Sequence, residues 1–217
     1  MRIVGVGYRD WALEIYETVA RQTDHTLLII RGKEHYNDKI VLDFKPDLVL
    51  FYGWSWKVST EITNSVPCIM LHPSPLPKYR GGSPIQNQII ANERNSAVTL
   101  FIMNDGVDAG DIIAQKEFSL GGHLEEIFER ITAIGLELTL DILEHGYVRT
   151  IQDDSQASYC KRRTPEESEI TIEELMNAKS SYLYNKIRML EDPYPNAFIR
   201  TADGMRLVIK KAEINQN

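Results

Sequence analysis

The chain has little cysteine: two in 217 residues, Cys68 and Cys160, with no C-x-x-C pair. That excludes a disulfide-built scaffold and a cysteine-rich metal site, and both residues read as small apolar core positions. Long hydrophobic runs are absent too, none approaching the roughly 18 residues that span a bilayer. No basic-then-apolar leader opens the chain, because MRIVGVGYRDW already reads as a strand. Positive charge is short, with 24 Lys and Arg against 31 Asp and Glu and a net charge of −7. A surface of that sign does not suit a phosphate backbone and is explained by solubility alone. Signature loops are also missing: there is no Walker sequence, no nucleophile elbow and no cluster of metal ligands. GVGYRD after the first strand lacks the third glycine of a dinucleotide fingerprint. These absences predict a soluble cytoplasmic protein with no membrane and no nucleic acid among its partners.

What is present is an ordinary globular composition, 43% apolar and 25% charged, enough to bury a substantial core. RIVGVG, HTLLIIRG, PDLVLFYG and PCIMLH are continuous apolar runs rather than alternating ones. Such runs fit parallel strands covered on both faces, hence an α/β fold. Between the first two, DWALEIYETVARQ sets Trp11, Leu13, Ile15 and Val19 on one helical face. SPIQNQIIAN reads as a short helix, and SAVTLFIM and DIIAQKEFSL as paired later strands. HLEEIFERITAIGLELTLDILEHG spaces Leu124, Ile127, Phe128, Ile131, Ile134 and Leu138 as a long helix stopped at Gly146. The reading places a boundary near residue 150. Residues 1–150 form an open, mostly parallel, Rossmann-like sheet domain. Residues 151–217 form an extension with a short helix over SSYLYNKIRMLE and a hairpin turning at Asp203-Gly204.

The stretch MLHPSPLPKYRGGSPIQ, residues 70–86, is not ordinary structure. Of the five histidines, only His72 stands at the carboxyl end of a strand, where an open α/β sheet has its ligand crevice. NDGVDAGDI, residues 104–112, brings Asp105, Asp108 and Asp111 between two strands. A carboxylate beside an imidazole fixes its tautomer and favours its charged form. A solvated turn accounts for the aspartates equally well. Without a nucleophile, the set suits acid–base work on a bound substrate.

HPSPLPKYRGGSPIQ followed by DAGDI, with His72 and Asp108 separated by 36 positions, resembles the folate-dependent formyltransferases. The likeness covers about residues 1–145 and extends more weakly into YNKIRMLEDPYPNAF. It implies N10-formyltetrahydrofolate as cofactor and His72 and Asp108 as the catalytic pair. It implies folate contacts at Trp56, Lys57, Val58, Asn104, Asp105, Gly106 and Val107. Ser74, Pro75, Leu76 and Pro77 are expected to pin the cofactor near His72 as a rigid loop closes over the crevice. Trp54 and Trp56 suit either core packing or an aromatic slot for a pterin. One position departs from the family: its asparagine two residues before the histidine is Met70 here, and a thioether donates no hydrogen bond. Asn104 and Gln86 are possible substitutes; slower or lost activity is the alternative.

Among family members, the tRNA enzymes fit poorly with the acidic chain and the short stretch after CKRR. The purine enzymes do not match RGGSPIQ or DPYPNAF. A nucleotide-diphosphate-linked amino sugar is the substrate expected, with a folate-binding protein lacking transferase activity as the other class. Lys78 and Arg80 are either solvated loop charges or substrate contacts, Arg80 gripping a diphosphate or ordering the loop. In the tail helix, Tyr184, Asn185 and Arg188 share a face expected to close the nucleotide site, while Leu183, Ile187 and Leu190 take the other. A homodimer is left open.

Overall fold

The computed structural model describes residues 1–215. A six-stranded sheet forms its centre, in the order β2-β1-β3-β4-β6-β7. The parallel half comprises β1 (Arg2–Gly7), β2 (Thr26–Arg31), β3 (Leu48–Tyr52) and β4 (Cys68–His72). Beyond β4, β6 (Asn95–Ile102) and β7 (Ile112–Ser119) run antiparallel. Continuous apolar runs have the expected consequence, because alternate residues feed two cores. Ile3, Leu48, Leu50, Ile69 and Leu71 face one side, where α1 (Asp10–Gln22) packs against α5 (Leu124–His145). Val4, Val6, Val49, Phe51 and Cys68 face the other, under α2 (Asp38–Asp43) and α3 (Thr60–Ser65). Burial among these residues raises the Cys68 thiol to about 12, so it behaves as a packed apolar group. The helices α2 and α3 were not read from the sequence: at 6 residues each they are too short to show helical periodicity. They are started instead by local caps, Asn37 accepting from Lys39 N and Ser59 from Ile62 N.

Tyr16 ties the first layer together. Its buried hydroxyl lies 3.0 and 2.9 Å from the carbonyls of Val6 and Leu50 and accepts from Tyr52 N at 2.7 Å, bridging β1 and β3. Helix α5 stops at Gly146, whose φ is 76°.

The tail, residues 151–217 in the sequence reading and described to 215, carries the expected helix and hairpin and contacts the sheet domain at several points. β5 (Arg80–Gly81), in the proline-rich loop, pairs with β8 (Tyr159–Cys160), and Ile112 bridges to Thr150. Ile170, Ile187, Met189, Leu190 and Ala197 join the same core as α1 and α5. Helix α7 (Ser180–Arg188) packs on α4 (Pro84–Ile90), and α6 (Ile172–Asn177) precedes it. The hairpin is β9 (Ala197–Arg200) with β10 (Arg206–Ile209). No helix among the described residues is long and apolar enough to cross a membrane.

Candidate active site

Strand order locates the crevice. The chain goes from β1 to β2 on one side, then crosses back to β3 on the other, so the sheet reverses between the carboxyl ends of β1 and β3. A cavity of about 840 Å³ opens there. Tyr8 and Arg9 line it from the end of β1, Gly53 to Val58 from β3, Met70 to Pro73 from β4, and Asn104 to Asp108 from the turn before β7.

His72 is buried. Its Nε2 lies 2.8 Å from the Tyr79 carbonyl, an acceptor, so this nitrogen carries the donated proton. Nδ1 faces Asp108 Oδ2 at 3.6 Å, beyond hydrogen-bond length. Asp108 Oδ2 accepts from Gly81 N at 2.7 Å. Three non-glycine residues around this pair hold left-handed backbone: Tyr79 (φ 59°), Ser83 (φ 51°) and Asp108 (φ 49°). Each such residue costs on the order of 1–3 kcal/mol, and such strain concentrates at functional sites.

Gln152, unseen in the sequence reading, holds the strained turn. Its Nε2 donates to the carbonyls of Asp108 and Gly110 at 2.9 and 2.7 Å. Its Oε1 accepts from Arg80 Nε and Nη2 at 3.0 and 2.8 Å. Arg80 also meets Asp154 Oδ1 at 2.8 Å and the Tyr159 hydroxyl at 3.0 Å, and is 1% exposed. Of the two roles considered for it, the geometry leaves Arg80 ordering the loop, because its donors are committed inside the protein. No local pattern marks Gln152, whose partners lie 42 to 72 residues away.

The other expected contacts divide. Trp56, Lys57, Val58, Asn104, Asp105, Gly106 and Val107 all line the cavity. Ser74, Pro75, Leu76 and Pro77 do not, although Pro73 before them and Gly81 to Ser83 after them do. Their polar groups turn toward the sheet instead: Thr99 Oγ1 donates to Ser74 O at 2.7 Å and Gln115 Nε2 to Leu76 O at 3.1 Å. The Ser74 to Pro77 segment is anchored beside the crevice, while Gly81 to Ser83 of the same loop form part of its wall. Lys78 is exposed outside the cavity. Tyr184, Asn185 and Arg188 lie outside it as well. Arg188 Nη1 donates to the Leu120 and Gly122 carbonyls at 2.7 and 2.9 Å, and its Nε to Asn185 Oδ1 at 2.8 Å. Burial lowers its guanidinium from the ordinary value. That helix face docks on the turn before α5.

Both readings of the tryptophans apply. Trp54 is buried in the second core, while Trp56 reaches the cavity, 4.7 Å from the Trp54 ring and 4.9 Å from the Tyr8 ring. The buried Trp54 Nε1 has no partner. Trp56, Met70, Phe101 and Met103 supply aromatic and thioether lining to the cavity, which suits the pteridine ring of a folate. Asn104 Oδ1 accepts from Gly106 N at 2.9 Å, which leaves its NH2 uncommitted at the cavity edge.

His72 at the end of β4 and Asp108 in the turn before β7 set an imidazole and a carboxylate on the wall of this cavity, an arrangement suited to acid–base chemistry on a bound molecule. The chain belongs to the formyl transferase family, whose profile matches residues 19–133. The formyl donor of that family is N10-formyltetrahydrofolate. A methionyl-tRNA formyltransferase of Sulfurimonas denitrificans is 35% identical over 189 residues, covering 85% of this chain and 59% of the relative. The chain thus spans under two thirds of that relative. A solved methionyl-tRNA formyltransferase from Clostridium thermocellum superposes with a TM-score of 0.91 at 29% identity, covering 99% of this chain and 94% of that one. Two others share the fold. One is HypX from Aquifex aeolicus in complex with tetrahydrofolic acid (TM-score 0.81, 20% identity, covering 96% and 37%). The other is a 4-N formyltransferase from Francisella tularensis (TM-score 0.78, 18% identity, covering 100% and 98%).

Proposed function

We propose that this protein transfers a formyl group from N10-formyltetrahydrofolate to the amine of a nucleotide-linked amino sugar. The observation that carries the transfer chemistry is the His72–Asp108 pair, 3.6 Å apart inside a cavity large enough for a folate head and a small acceptor together. The amine attacks the formyl carbon and gives a tetrahedral oxyanion. Its proton passes to His72 Nδ1, the nitrogen left free by the Tyr79 contact. The imidazolium so formed faces Asp108, whose charge stabilises it. The proton then goes to N10 as the carbon–N10 bond breaks, releasing tetrahydrofolate and the formamide. The Asn104 NH2 serves as oxyanion donor where Met70 cannot.

A cavity of this size supports a small acceptor, and a 4-N formyltransferase shares the fold. A second reading, formylation of methionyl-tRNA, is favoured by the sequence relatives. The two are separated by measuring tetrahydrofolate release with a panel of nucleotide-linked amino sugars and, in parallel, with methionyl-tRNA. Release that requires an amino sugar supports the first reading; release only with methionyl-tRNA overturns it.

A further inference from the structure

Two arginines line the cavity with no anion to hold. Arg9 stacks between rings, its Cζ 4.7 Å from the Tyr8 centroid and 5.0 Å from that of Tyr194. Arg162 reaches the same cavity because β8 pairs with β5. A Cβ on Gly82 would stand 2.5 Å from Arg162 Cα, so only glycine lets the two segments meet there. Arg80 is paired with Asp154, and Arg163 lies 3.8 Å from Glu167. Among the described residues, Arg9 and Arg162 have no such carboxylate partner. Gln86 lines the same cavity at 3% exposure, and its side-chain amide is directed at the Tyr194 phenol. Tyr194 joins the three: Gln86, Arg9 and Arg162 all act on its phenol, which burial nonetheless raises. Two guanidiniums at one cavity wall, neither paired with a carboxylate, make a region of positive charge that suits an anionic ligand.

We propose that Arg9, Arg162 and Gln86 form a subsite for a diphosphate group, the anionic part of the acceptor substrate; this rests on the formyl-transfer reading. Guanidinium forks match phosphate oxygens bidentately, and a stacked arginine is already oriented for the purpose. On a chain of net charge −7, an anionic acceptor needs local positive charge to enter the crevice. The folate glutamyl carboxylates are the other source of such an anion. The subsite is assigned to the acceptor because the aromatic and thioether wall around Trp56 and Met103 suits the folate ring.

The test is titration calorimetry with inorganic pyrophosphate, in the wild-type chain and in Arg162→Ala, Arg9→Lys and Gln86→Leu. Arg162 is exposed, so Arg162→Ala folds; Arg9→Lys keeps the charge and removes the planar fork. Saturable binding is expected, weakened about tenfold by each substitution and by raised salt. A second arm compares folate mono- and triglutamate. If the variants weaken the triglutamate selectively and leave pyrophosphate unchanged, the subsite belongs to the folate tail and the proposal falls. Absence of saturable pyrophosphate binding up to about 10 mM overturns it as well. Neither readout depends on turnover. If formyl transfer is found but proceeds equally well with the amino sugar stripped of its nucleotide, the subsite fails while the transferase reading stands.

Discussion

Two acceptors decide what His72 can do. The Tyr79 carbonyl takes the Nε2 proton, so Nδ1 is the basic atom, and Asp108 stands where the new positive charge appears. In the proposed mechanism the two act on one transition state. His72→Ala and Asp108→Ala are each expected to lower kcat by about 10²–10⁴-fold, with the double variant little worse than the worse single. Multiplicative losses in steady-state assays would show that they act independently. Met70 is half-buried, lines the cavity and packs against the second core. Met70→Asn places an amide there at roughly 1–3 kcal/mol if unpartnered. With Asn104 already holding a free NH2, we expect no gain in kcat and a lower melting temperature. A tenfold rise in kcat would mean that the oxyanion donor was missing.

At the scale of elements, the position of Asp108 depends on the pairing of β5 with β8. That pairing brings Arg80 within reach of Gln152, and Gln152 in turn holds the carbonyl of Asp108. Gln152 is a positioning residue, and Gln152→Glu separates its two roles. Glutamate keeps the acceptor for Arg80 and loses both donated bonds to the Asp108 turn. We expect kcat to fall about tenfold or more, with KM for the folate and the melting temperature little changed. Equal loss of stability and activity would make the residue merely structural. Gln152→Leu, which also orphans Arg80, is expected to destabilise by about 1–3 kcal/mol more.

Across the whole molecule, the tail is bound by buried polar contacts as well as by apolar ones. Glu191, 6% exposed, accepts from Leu124 N at 3.0 Å and meets His123 Nδ1 at 2.6 Å, at the start of α5. Lys186, also 6% exposed, meets Glu174 at 2.7 Å and the Glu169 carbonyl at 2.6 Å. Burial raises the Glu174 carboxyl, but hydrogen bonds from Lys186, Thr171 and Tyr182 together hold it below its ordinary 4.5. A folded-state value below the unfolded one stabilises above pH 4.5 and is lost as pH falls through the lower folded value. Melting temperature is therefore expected to drop on acidification below about pH 4.5, less steeply in Glu174→Gln. At neutral pH that variant should be less stable, by up to about 3 kcal/mol, since Lys186 is left without its counter-charge. An unchanged acid limb would remove Glu174 from the account.

From the sequence alone came the α/β class, the parallel run of strands, α1 and α5, the paired β6 and β7, the hairpin, and His72 at a strand's carboxyl end. These are legible because apolar periodicity, turn glycines and strand ends are local properties of the chain. The His72–Asp108 spacing was legible through family likeness. Only the tertiary structure decided that Ser74 to Pro77 turn away from the crevice, that Arg80 and Arg188 are committed inside the protein, that Gln152 holds the Asp108 turn, and that Arg9 and Arg162 line the cavity. Arg80 and Gln152 are 72 residues apart, and β8 meets β5 across a similar gap. A side chain's partner over such a distance follows from how the sheet and tail pack, and no local pattern encodes it.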